Sequence, residues 1–345
     1  MGHGTGGRNH TLDFLKGFAI CMVVFTHFEW RDAERALPLF PYLVDMAVPI
    51  FMVISGYTYA MSMERHGITT LQDALSWDNI KTKLIRYTAP FLIIAAWELI
   101  DKNIHVNAEQ PLEYLAWIIR GTDGKGSYYY PLLIQLIFVF PLIKAVFDKW
   151  KEKGLIVCFL INGAYEVIRW AYGMNDDCYR LLIFRYIFII GAGIFAYRRY
   201  RIGAVPGILI TAAGAAYIAA VKYLGFEPAI IKMWPGTSYI AVMYLVPAVI
   251  WILQNLNIRF APVELIGKAS YHIFLIQMLY YRGYYKILDE MLGRKQLLAA
   301  SMLVCILIGL IFYKADKELI TKTILSGLNK AENNKETLNR KGVKK

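Results

Sequence analysis

Long apolar runs separated by short polar connections fill almost the whole chain. Ten such runs are legible, at about 12–28, 42–61, 84–100, 128–147, 154–171, 180–197, 204–223, 237–253, 270–285 and 297–313. Each holds roughly 16 to 20 residues, near the lower limit for a helix that crosses a hydrocarbon core about 30 Å thick. The longest polar connections, about 63–83 and 101–127, are too short to build a core of their own. No internal repeat is visible, and no matched pair of Gly/Pro-broken helices of the kind that marks alternating-access transporters. The pattern predicts an all-α, polytopic integral membrane protein with about ten transmembrane helices. It divides into an N-terminal segment (1–11), one membrane domain (12–314) and a basic tail (315–345).

Composition agrees with that pattern. Hydrophobic residues make up 57% of the 345 and charged residues 19%, with a mean hydropathy of +0.40, outside the usual range of soluble domains. The first run lacks a small-residue cleavage site and carries Asp13, Lys16 and His27, so it is expected to stay in the mature protein. Of the four cysteines, Cys21, Cys158 and Cys305 lie inside apolar runs, which leaves no disulfide framework. The net charge of +12 does not point to nucleic acid, because much of the excess sits in the tail after Tyr313. Basic juxtamembrane segments usually meet anionic lipids on the cytoplasmic side. Two more basic loops, Lys149/Lys151/Lys153 and Arg198/Arg199/Arg201, fall on that same side, which predicts a plasma-membrane protein with both termini cytoplasmic.

The first run, LDFLKGFAICMVVFTHF, holds a lysine near one end and a histidine near the other. Titratable groups in hydrocarbon are costly and survive mainly where they face the bundle interior. Lys16 and His27 are eleven residues apart, close to three helical turns, so both point the same way about 16 Å apart along the axis. His27 is either an interfacial residue near a helix end or a catalytic base or nucleophile.

Other candidates fall at comparable depths. Lys83 and Arg86, three residues apart at the start of the third run, are either an ordinary basic anchor or a phosphate clamp for a cytosolic donor. Ser55 precedes Gly56 at about the depth of Lys16, and small-residue packing is the commoner explanation there. Glu98, Glu166 and Arg185 count to about 18 to 21 Å deep, near His27. A carboxylate on one ring nitrogen would fix the histidine tautomer, and Glu98 is the first choice. Glu166 has a rival account, neutralisation by Arg169 or Arg185. His272 counts as shallow and interfacial, and GTDGKGSYYYP, before the fourth run, reads as an aromatic interface belt. No metal ligand set is read.

The segments LDFLKGFAICMVVFTH, FMVISGYTYA, KTKLIRYTAPF, YYYPLLIQLIFVFPLI and LIGKASYHIFLIQM, in this order and spacing, resemble the membrane acyltransferase family 3 proteins. The resemblance implies about ten helices and no bound cofactor. It implies an acyl-CoA cosubstrate, most often acetyl-CoA, and O-acylation of a cell-surface or lipid-linked carbohydrate. The family's basic residue and histidine of the first helix map onto Lys16 and His27, and its second basic pair onto Lys83 and Arg86. Lysine replaces the usual arginine at 16 and 83, so forked phosphate binding becomes point-charge binding. Gln277 stands where a late histidine is common; it cannot take a proton at neutral pH, which leaves it at most a positioning role. The competing class is a transporter or flippase for a saccharide or lipid-linked precursor, with Glu98, Glu166, Arg185 and His27 along a polar path.

Overall fold

The computed structural model describes residues 9–101, 111–228, 230 and 239–328. The expected segment 1–11 and tail 315–345 therefore lie partly outside the described residues. All regular structure among the described residues is helical. The principal helices are α1 (His10–His27), α2 (Ala47–Arg65), α3 (Trp77–Asp101), α4 (Tyr129–Trp150), α5 (Gly154–Ala171), α6 (Ile187–Tyr197), α7 (Ala204–Tyr223), α8 (Val246–Asn255), α9 (Ala261–Lys268), α10 (Ser270–Leu279) and α11 (Arg294–Ala315).

By length and apolarity alone, four stretches among the described residues can cross a membrane: Leu39–Arg65, Tyr129–Ala171, Ala204–Tyr223 and Arg294–Leu328. The expectation of about ten spans is not established by that measure. Tyr129–Ala171 joins α4 and α5, Ile183–Tyr197 and Ala241–Asn255 are apolar but short, and α1 carries Asp13, Lys16 and two histidines. The outward faces are strongly apolar. Val205, Ile208 and Leu209 on α7 and Leu303, Leu307 and Ile311 on α11 are each more than half exposed, apolar faces that suit lipid and not water.

α1 lies at the centre of the bundle, with Ala19, Ile20 and Val24 fully buried. Its closest partner is α9. A Cβ built on Gly267 would stand 1.8 Å from the Asp13 carbonyl oxygen, and one on Gly17 would stand 2.1 Å from that of Val263. Only glycine lets the two backbones come this near. Polar contacts pin the same junction: His10 Nδ1 meets Glu264 at 2.7 Å, and Thr11 Oγ1 donates to the Leu256 carbonyl and accepts from the Ile258 amide. The other end of α1 is tied down through the loop that follows. Arg294 at the start of α11 donates to the Glu29 carbonyl and pairs with Glu34 at 2.5 Å. The Arg31 backbone N–H and the Arg294 guanidinium hold the Glu34 carboxyl below its ordinary range.

α10 continues into a π-helical turn at Tyr280–Tyr284, and α11 into another at Asp316–Ile320. Such turns are often found at functional sites. The helix that begins as α11 runs on to Leu328, so the polar tail expected from 315 starts as an extension of the bundle.

Candidate active site

One chamber of about 1430 Å³ runs through the bundle beside α1, with Lys16 towards one end and His27 towards the other. The two residues do share a face, as the eleven-residue spacing requires. Around Lys16 the wall includes Asp13, Arg86, Lys268, Lys317 and Lys322; around His27 it includes Arg35, Lys125, Tyr128, Arg180 and Arg185. Among the described residues, ten lysines and arginines line the chamber against the three carboxylates Asp13, Asp45 and Asp316. A cavity with that imbalance concentrates anions.

His27 is the last residue of α1, and its ring is fixed by a relay. Gln277 Nε2 donates to the Lys125 carbonyl at 3.0 Å, and Gln277 Oε1 lies 2.6 Å from His27 Nδ1. A carbonyl only accepts, so the amide nitrogen faces Lys125 and the amide oxygen faces the histidine. Nδ1 must then carry the hydrogen in the neutral ring, which leaves the Nε2 lone pair directed away from Gln277. The residue that the sequence allowed only a positioning role occupies the position expected for a carboxylate. Replacing it should separate these jobs: Gln277→Leu keeps the volume and loses the tautomer restraint, with turnover expected to fall about 10- to 100-fold at unchanged donor KM, checked by steady-state kinetics.

Glu98 does not meet His27. Fully buried, it pairs with Arg282 of the π turn at 2.7 Å and accepts from Thr122 Oγ1 at 3.1 Å. Depth counting carries no information on azimuth, and Arg282 claims the carboxylate. Glu166 also stays out of the chamber wall, with its Oε1 taking the Tyr179 hydroxyl and Arg169 pairing with Asp176 at 2.6 Å. Arg185 does line the chamber, and no described carboxylate comes within ion-pair distance of it.

The basic pair of α3 is split. Arg86 faces the chamber, whereas the Lys83 ammonium lies 4.9 Å from the centre of the Tyr59 ring, beside Phe140 and Pro141 and outside the chamber wall. Three residues on a helix differ by about 60° in azimuth, enough here to send the two side chains to different sides of α2. Lys268 from α9, with Lys317 and Lys322 beyond α11, joins Arg86 and Lys16 instead. Lys268 was visible in LIGKASYHIF, but its proximity comes only from the α1–α9 glycine contact. Ser55 lines the wall, while Gly56 behind it rests on the α6 backbone at Ile190.

Two features expected only at the interface also line the chamber. His272 is buried, lines the chamber and bonds Asp316 through Nε2 at 2.9 Å, with Phe312 and Tyr313 edge-on to its ring. The helix continuation that brings Asp316 there could not be read from local depth. The glycine-rich loop is likewise more than an aromatic belt. Gly124 to Tyr128 form chamber wall, and the Lys125 ammonium donates to the His27 carbonyl at 3.2 Å. Gly126 adopts φ +85°, and a Cβ there would stand 3.1 Å from His27 Cε1. The loop turns in a left-handed conformation suited to glycine, with no side chain to displace the imidazole. Among the described residues, no group of three or more histidines, cysteines and acids is placed to hold a metal ion.

An acyltransferase domain family matches residues 9–314 of the chain, a span that includes every residue placed in the site above apart from Asp316, Lys317 and Lys322. No curated protein and no solved structure matches it.

Proposed function

The chain belongs to the acyltransferase 3 family, and from that premise we propose that it transfers an acyl group, most simply acetyl, from cytosolic acyl-CoA to a hydroxyl of a cell-surface or lipid-linked carbohydrate. The observation that carries the proposal is the single chamber joining a cluster of cations to a histidine with a free Nε2. Lys16, Arg86 and Lys268 take the phosphates of the donor at the cytosolic end, with Lys317 and Lys322 contributing charge at its rim. The thioester arm follows α1 for about 16 Å and brings the acyl carbon to His27. The carbohydrate enters from the opposite side.

His27 acts as general base. Its Nε2 takes the acceptor hydroxyl proton as the oxygen attacks the thioester carbonyl carbon; the tetrahedral adduct collapses, the C–S bond breaks, and the imidazolium returns the proton to the departing thiolate. Ester and free CoA leave with the enzyme unchanged. The fixed hydrogen bond from Nδ1 to Gln277 keeps the ring in the tautomer that this cycle requires.

Thiol release from acetyl-CoA by purified full-length protein, with candidate acceptors, tests the assignment. Arg86→Ala with Lys268→Ala is expected to raise the KM for acetyl-CoA about tenfold or more, since each phosphate contact is charge-assisted, with a much smaller change in kcat. A protein that neither binds CoA nor releases thiol would leave saccharide transport through the same chamber as the better account.

A further inference from the structure

Arg185 is the chamber residue whose surroundings are hardest to explain without a ligand. It is 3% exposed, and its guanidinium is held among Tyr186, Tyr179 and Tyr128, at 4.7, 5.2 and 5.8 Å from the ring centres. Nε and Nη1 have no hydrogen-bond partner among the described residues. Glu166 attracts it from beyond ion-pair distance, with Oε1 accepting from the Tyr179 hydroxyl and Oε2 without a hydrogen-bond partner among the described residues. A buried guanidinium without a bound anion is expensive, and a fold retains one where something supplies the counter-charge. Among the described residues the wall of this half of the chamber adds more cations than anions: Arg35, Lys125, Arg180 and Lys222 share it with Arg185, against the carboxylate of Asp45. Tyr128, also in the wall, offers a flat aromatic surface next to the cation, the kind of lining on which a ring-shaped ligand rests.

We propose that Arg185 and Tyr128 form an acceptor subsite that selects an anionic saccharide, with Arg185 taking an acid group, a uronic carboxylate or a phosphate ester, and Tyr128 taking the sugar face. The inference rests on the carbohydrate-acceptor function proposed above and adds the acceptor's charge. Guanidinium suits both acids because its planar N–H array matches two oxygens at once. Because His27 lines the same chamber, an acid anchored at Arg185 leaves a hydroxyl elsewhere on the sugar to approach Nε2.

Thermal unfolding of the detergent-purified full chain tests this without any acyl transfer, using glucuronic acid, glucose 6-phosphate and glucose as probes. The two acids are expected to raise the unfolding temperature and glucose is not. In Arg185→Gln the concentration needed for the same shift should rise about 10- to 100-fold, the range for losing one charge-assisted hydrogen-bonding partner, with partial recovery in Arg185→Lys. A shift with glucuronic acid alone assigns a carboxylate, and a shift with glucose 6-phosphate alone assigns a phosphate; either supports the subsite. Equal shifts with glucose, no shift with any probe, or shifts that survive in Arg185→Gln overturn it. Thiol release from acetyl-CoA, measured on the same preparation, passes or fails independently and reports on the acyltransferase proposal itself.

Discussion

His27→Ala is expected to lower turnover about 10²- to 10⁴-fold, the usual contribution of a positioned general base, while acetyl-CoA still binds with near wild-type affinity. The two effects separate because the cations proposed for the donor lie at the Lys16 end, about 16 Å away along α1, and none of them touches the imidazole. Folding should survive the change. His27 contributes one side-chain hydrogen bond, to Gln277, while the end of α1 is held independently by the Arg294 contacts to Glu29 and Glu34 and by Lys125 on the His27 backbone carbonyl. Steady-state thiol release gives the first quantity and equilibrium titration of the donor the second; full turnover in the alanine variant would remove His27 from the mechanism. Intact mass after incubation with labelled acetyl-CoA distinguishes the two forms of catalysis. A stable acetyl increment on His27 would replace the general-base cycle by a covalent one, in which Nε2 first attacks the thioester.

Periodicity along one helix is readable from sequence, and azimuth between helices is not. The eleven-residue spacing of Lys16 and His27 fixes their shared face whatever surrounds them, and the chamber runs along that face. Depth counting puts Glu98 near the level of His27 but leaves its azimuth open, and a carboxylate on the other side of α3 finds Arg282 and not His27. Lys83 and Arg86 show the same limit across one helix: adjacency along the chain did not say which of them looks into the chamber. The resemblance points to Gln277 as a positioning residue, since it cannot titrate. Its value is geometric, since an amide that donates to one carbonyl must offer its oxygen to the next group, and that sets the histidine tautomer. The loop around Lys125 is the part of the site least legible in the sequence. Glycines at 124 and 126 mark a backbone that turns sharply, but where it folds back depends on α10 and the end of α1, elements distant in sequence.

Gly267→Val should damage the protein more than any change inside the chamber. The substituted Cβ would start 1.8 Å from the Asp13 carbonyl oxygen and 2.9 Å from the Gly17 amide nitrogen, and both obstacles are backbone, so no side-chain rotation relieves them. α9 has to move off α1. Overpacking of a core usually costs about 1–3 kcal/mol; separation of two helix backbones adds lost contacts along the interface, so about 3 kcal/mol or more is expected. The same displacement carries the His10–Glu264 and Thr11 contacts with it, and it moves Lys268 away from Lys16. Donor affinity should therefore fall together with stability, which distinguishes this site from an ordinary packing defect. Thermal unfolding in detergent and the acetyl-CoA KM measure the two. Gly283→Ala is the matched control, because a Cβ there meets nothing within 4 Å and should stay within about 0.5 kcal/mol of wild type. A Gly267→Val protein that unfolds and binds donor like wild type would mean that α1 and α9 are not packed backbone to backbone, and that the cation cluster at the Lys16 end is assembled in some other way.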